Sequence, residues 1–117
     1  MNALRPDLVV VTGDLVDAEV GPVEPLVPEL KKLSAPLGVW GVTGNHEYYA
    51  GLERSVALYE AAGIRTLRDA WGEAAPGLVL AGVDDLTARR QLGLDGRTLE
   101  KAFAGVPKDA LVVLLSH

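Results

Sequence analysis

Two rhythms alternate along this chain. Short apolar or β-branched runs at residues 8–12, 39–42, 64–67, 78–83 and 110–115 predict strands. The run at 8–12 is continuously apolar, as in a strand covered on both faces. Between the runs, apolar residues fall at helical spacing. Val23, Leu26, Val27, Leu30 and Leu33 predict a helix over 23–33. Pro25 fits its first turn, Pro28 disturbs its start, and Ser34 to Pro36 end it. A second helix is expected over 52–62 with Gly63 just past its end, and a third over 95–104 with Asp95 as N-cap and Gly105 beyond. Residues 14–22, rich in Asp, Glu and Gly, read as a loop. Strands alternating with helices predict a layered α/β sandwich with a partly parallel sheet.

Three of the apolar runs end in polar residues that can hold a metal. Gly13-Asp14-Leu15-Val16-Asp17 follows the first, Gly44-Asn45-His46-Glu47 the second and Ser116-His117 the last. Each lies just past the carboxyl end of a predicted strand, the edge where α/β proteins collect ligands. His46 and His117 are the only histidines of the chain, and both fall in these stretches. Carboxylate, amide oxygen and imidazole suit Mn²⁺, Fe, Zn²⁺ or Mg²⁺ rather than soft ions. There is no Cys to supply a thiolate. A carboxylate such as Asp14 can bridge two cations, as in hydrolytic sites with two ions roughly 3.5–4 Å apart. Taken singly, each stretch also has a plain reading: Asp14 and Asp17 as turn residues, Asn45 as a left-handed turn, Glu47 as a helix-entry charge.

Taken in order, GDLVD, GNHE and a strand ending in His resemble the calcineurin-like metallophosphoesterase superfamily. The wording LRPDLVVVTGDLVD, APLGVWGVTGNHEYY and LVLAGVDD is similar to its bacterial phosphohydrolase branch, many of whose members are membrane-associated. The likeness runs over nearly the whole chain. GNHE carries most of its specificity, GDxxD less, and the terminal Ser-His least. The resemblance implies a metallophosphoesterase-type α/β sandwich and metal-dependent hydrolysis of phosphate esters. It implies that Asp14 bridges two divalent metals, that Asn45 and His117 bind the second, and that His46 faces the scissile phosphate and assists the leaving oxygen. Asp17, Glu47 and Tyr48 are expected to support the site or lie near the substrate.

Two of the family's five motifs are missing: an Asp-x-His near the amino terminus and a Gly-His-x-His beyond His117. With two histidines in all, the chain has no other imidazole to replace them. The departure bears on activity rather than kinship. Met1 opens on what reads as the last turn of a helix, and His117 ends a strand without a cap. The expectation is therefore the central part, 1–117, of a single metallophosphoesterase domain incomplete at both ends. The alternative is a truncated, non-catalytic α/β module with little or no metal binding.

Composition narrows the rest. An apolar fraction of 49% excludes a disordered chain. The net charge is −5 and no basic run exceeds two residues, so there is no nucleic-acid-binding patch. No apolar stretch approaches the ~20 residues that cross a bilayer, and residues 1–7 carry no signal-peptide core. The default expectation is a cytoplasmic chain, with a longer parent that can be membrane-associated. No dinucleotide or Walker motif and no Gly-x-Ser-x-Gly elbow is present. The expected partner is a phosphate-ester substrate, and the chemistry needs no protein nucleophile.

Overall fold

A computed structural model describes residues 1–17 and 22–117, so 18–21 of the expected 14–22 loop lie outside the described residues. A 3₁₀ turn (Asn2–Leu4) precedes β1 (Val9–Thr12). A second 3₁₀ turn (Glu24–Leu26) runs into α1 (Val27–Leu30), followed by β2 (Val39–Val42), α2 (Asn45–Ala50), α3 (Leu52–Ala61) and β3 (Arg65–Thr66). Then come β4 (Ala70–Ala75), β5 (Leu78–Gly82), α4 (Leu86–Gln91), α5 (Thr98–Ala102) and β6 (Leu111–Leu115).

The strands form two sheets. In the first, β1, β2 and β3 are all parallel, and Thr12 pairs with Val42, so β1 and β2 end together. In the second, β4 runs antiparallel to β5, while β5 and β6 are parallel with Gly82 opposite Leu115. This is the mixed α/β architecture that the alternating pattern predicts.

The alternation of side chains along β2 builds two cores. Val39 joins Val9, Tyr59, Ala62 and Ile64 on the helix side, with Val11, Leu30 and Leu58 packed around them. Trp40 and Val42 face the other way and meet Leu67, Leu80 and Leu115 between the sheets. Period-two alternation thus makes one strand serve both layers. The sheets approach closely because two residues of the second lack a Cβ. At Gly72 a Cβ would lie 2.6 Å from Trp40 Cζ3, and at Gly82 it would lie 2.4 Å from Leu67 Cβ. The Trp40 indole donates to the Leu37 carbonyl at 2.8 Å, and the Arg65 guanidinium sits 4.4 Å over its ring. On the outer face of the second sheet, the Trp71 indole donates to Ala104 just past α5, at 2.7 Å.

Several elements differ from the sequence pattern, each for a local reason. The helix expected over 23–33 is a 3₁₀ turn and one α-turn, with Pro25 and Pro28 at the starts of the two pieces. The segment Ala70–Ala75 has few β-formers, yet pairing with β5 makes it a strand. The region of α4 lacks a long apolar stripe, but Asp85 caps it, its carboxylate accepting from Ala88 N–H at 2.6 Å. The last helix starts at Thr98 rather than Asp95. The Asp95 carboxylate instead accepts from the Arg97 N–H and from the Arg97 and Lys101 side chains. Those cations hold it well below the usual carboxylate range, Lys101 foremost.

Trp40 is 3% exposed and central to the inter-sheet core. Trp40→Ala is expected to lower stability by about 3–5 kcal/mol, read from urea unfolding. A loss under about 1 kcal/mol would show that the sheets are held together elsewhere.

Candidate active site

The carboxyl ends of β1, β2, β5 and β6 meet at one edge. Register aligns β1 with β2 and β5 with β6, and His117 brings the two pairs together. Its Nδ1 lies 2.7 Å from the Thr12 carbonyl oxygen, and its Nε2 lies 3.2 Å from Asp14 Oδ2. A carbonyl only accepts, so Nδ1 carries the proton in this contact. In the neutral ring Nε2 is then a lone pair facing a carboxylate oxygen. Two acceptors turned toward each other are relieved by a cation between them, and a backbone-bonded Nδ1–H is the usual support of an imidazole that ligates through Nε2.

The other polar residues of the motifs gather on the same loops. Asp14 Oδ1 accepts from the His46 backbone N–H at 3.2 Å. His46 Nδ1 lies 3.3 Å from Asp17 Oδ1, and the Tyr49 ring sits 5.8 Å from the His46 ring, tilted by 59°. Asn45 opens α2 between Gly44 and His46, both of which approach Asp14. The two loops touch through their glycines. A Cβ at Gly13 would lie 2.5 Å from Gly44 N and 2.8 Å from His117 Nδ1, and one at Gly44 would lie 2.2 Å from Asp14 Oδ1. Gly13 also has φ +93°, and Asp14 itself takes a left-handed φ of 54°.

Glu47 holds these loops in place. It is 0% exposed, at the third position of α2. Its Oε2 accepts from the Gly44 N–H at 2.7 Å and the Asp14 N–H at 2.9 Å. Its Oε1 accepts from the Val16 N–H at 2.9 Å and the Tyr59 hydroxyl at 3.1 Å. One bond returns to the helix N-cap, half of a capping box. The others cross to β1's loop and to α3. Burial, then the adjacent Glu47 charge, pushes the Tyr59 hydroxyl far above the ordinary tyrosine range.

A second buried carboxylate braces the β2 loop from the opposite side. Asp84, 1% exposed after β5, accepts from the Thr43 hydroxyl at 3.1 Å, from Arg68 Nη2 at 2.9 Å and from Arg89 Nη1 at 3.3 Å. Asp69 adds its own contact to Arg89 at 3.3 Å and accepts from the Asp84 N–H. The Asp84 hydrogen bond raises the Arg68 guanidinium above its ordinary value. The local sequence gives no signal of the Asp84 pairing with Arg68 and Arg89, which only the fold brings near. The Tyr48 hydroxyl is buried beside Asp84 and Arg89, and burial raises it first, then the Asp84 charge. Tyr49 is the tyrosine that faces His46.

Among the described residues no three His, Cys, Asp or Glu side chains form a group able to hold a metal. Asp14 and His117 present two donors 3.2 Å apart, and Asn45 follows Gly44, which touches Asp14. The large hollow of about 470 Å³ between Asn2, Asp7 and Pro36 lies at the amino ends of β1 and β2, away from this chemistry.

A family model described as calcineurin-like phosphoesterase matches residues 1–113. An uncharacterized metallophosphoesterase of Aquifex aeolicus is 41% identical over 114 residues, covering 97% of this chain and 43% of the relative. A transmembrane protein with metallophosphoesterase domain of Danio rerio is 35% identical over 126 residues, covering 100% of this chain and 29% of the relative. An uncharacterized metallophosphoesterase of Helicobacter pylori is 29% identical over 117 residues, covering 100% and 31%. The chain thus spans less than half the length of these relatives. No solved structure matches it.

Glu47→Gln is expected to cost about 2–4 kcal/mol, because an amide nitrogen would face two buried donors. Stability should also fall above about pH 10. Tyr59 binds its proton more tightly folded than unfolded, so its contribution is full below the unfolded value and is lost as pH rises above it. Tyr59→Phe should flatten that alkaline decline in chemical denaturation. An unchanged decline would place its origin elsewhere.

Proposed function

The chain belongs to the calcineurin-like phosphoesterase family, and we propose that it carries part of a metal-dependent site for phosphate-ester hydrolysis. The observation that carries this reading is the Asp14–His117 pair, with Nδ1–H given to Thr12 and Nε2 turned to the carboxylate. Asp14, His117 and the Asn45 oxygen would hold one divalent ion, of the Mn, Fe, Zn or Mg kind. Asp14 alone remains for a second, so a dinuclear site needs ligands from further polypeptide. When bound, a divalent metal supplies Lewis-acid charge and lowers the pKa of water.

The chain's own residues supply orientation and a proton. Glu47 fixes Asp14 in its left-handed conformation, and Thr12 fixes the His117 tautomer. His46 stands across Asp14 from His117, with Nδ1 toward Asp17. It would stabilise charge on the phosphoryl oxygen and hold a proton at its ring for the leaving oxygen. Asp17 and Tyr49 bracket the ring and so set its direction. The substrate is a phosphate ester whose organic group lies on the α2–α4 side. Some relatives are named transmembrane proteins, and no helix among the described residues is long and apolar enough to cross a membrane.

Calorimetry with Mn²⁺ should find at most one weakly held ion per chain, lost in Asp14→Ala and in His117→Ala. Two tightly held ions would contradict the single-site reading. Turnover of an aryl phosphodiester by the purified chain with Mn²⁺ should be negligible. In a protein of the relatives' length, Asp14→Ala or His46→Ala should lower kcat/KM by about 10²-fold or more. Robust metal-dependent hydrolysis by the chain itself, abolished by Asp14→Ala, would show that no further ligands are needed. Full activity of the longer Asp14→Ala protein would overturn the assignment.

A further inference from the structure

The face of α4 carries chemistry that the metal site does not use. Leu86 and Arg90 stand at i and i+4 and so share one side of the helix. The helix ends in a Schellman turn, with Gly93 at φ 66° and Leu94 N–H bonded back to the Arg89 carbonyl at 2.9 Å. That turn returns Leu94 to the same side. A cavity of about 460 Å³ opens there, lined by Leu86, Arg89, Arg90, Gly93, Leu94 and Gly96. A second, of about 220 Å³, shares Leu86 and Arg90 and adds Thr87 and Gln91. Leu86 is 48% exposed and Leu94 47%.

Charge separates Arg90 from the other arginines around α4. The Arg89 guanidinium is taken up by Asp84 and Asp69, and its Nε by the Asp95 carbonyl. Arg68 is paired with Asp84, and Arg97 with Asp95. Arg90 is exposed and has no carboxylate partner among the described residues. It lies between two exposed leucines on a chain of net charge −5. The patch is also joined to the candidate site. Gln91 accepts from the Tyr49 hydroxyl at 2.7 Å, and the Tyr49 ring faces His46, the residue proposed above to serve the leaving oxygen.

We propose that the α4 face is the subsite for the organic group of the substrate, and that this group is apolar and bears an anionic substituent of its own. Leu86 and Leu94 would cover the apolar body, and Arg90 would pair with the anion. Tyr49 and Gln91 form the wall between this subsite and His46. The proposal rests on the phosphoesterase reading and extends it to a class of substrate, the phosphate esters of anionic amphiphiles. Its occupant is a single molecule in the two cavities, not a bilayer surface.

The test uses monomeric decyl sulfate, which carries the apolar chain and the anion but no phosphate to compete at Asp14. Backbone amide shifts of the 117-residue chain are followed by NMR during titration, with decyl maltoside as the neutral arm. Saturable shifts at Leu86, Arg90 and Leu94 are expected, with affinity for decyl sulfate at least fivefold above that for decyl maltoside. Arg90→Ala should remove that preference, and Leu94→Ser should weaken both ligands. Equal affinity for the two amphiphiles, no effect of Arg90→Ala, shifts confined to other surfaces, or binding to anionic vesicles alone would each overturn the proposal. Mn²⁺ binding at Asp14 and His117, measured separately, reports on the phosphoesterase reading, so the two can fail independently.

Discussion

A single buried carboxylate organises this molecule's functional edge. Glu47 accepts from three backbone N–H groups and one hydroxyl, and these donors belong to β1's loop, β2's loop and α3. An ionised carboxylate is acceptor-only, so four converging donors match it and few other side chains. The bonds cross from residue 47 to residues 14 and 16, and so convert two separate loops into one surface. Without them the left-handed Asp14 would lose its anchor, and its carboxylate would no longer be set against His117.

The glycines of the two motifs complete this constraint. Gly13 and Gly44 are small because the loops touch there, and a methyl at either would collide with the other loop's backbone. Asp84 then props the same β2 loop from the second sheet through Thr43, while Arg68 and Arg89 neutralise it. Two buried acids, Glu47 and Asp84, therefore hold the Thr43 and Gly44 turn from two sides. Rigid supports of this kind are what hold reacting groups in place in a polar site. The same brace runs on through Tyr49 and Gln91 to α4, so the surface beside His46 is positioned by the elements that position His46 itself.

Much of this was legible in the sequence because it rests on local pattern. The strands β1, β2, β5 and β6 announce themselves as apolar runs, and the motif residues follow their ends. Asp14, His46 and His117 follow strand ends that the pattern marks, and the fold sets the Asp14 carboxylate beside His117 and the His46 backbone. What was not legible depends on partners distant in the chain. Glu47 reads locally as a helix-entry charge, and nothing near it in sequence names Tyr59 or Val16 as its donors. Ala70–Ala75 becomes a strand through β5 rather than through its own composition. Asp95 reads as a cap but gives its oxygens to Arg97 and Lys101, while Asp85 caps α4.

The central claim is that Glu47 makes the two motif loops one rigid unit, and amide hydrogen exchange tests it most directly. The Asp14, Val16 and Gly44 N–H groups end on Glu47 oxygens rather than in a regular ladder. On this account the three amides exchange together, at rates close to those of the buried β2 amides and governed by global unfolding. Exchange of any of them at the rate of an open surface loop, with β2 still protected, would contradict it.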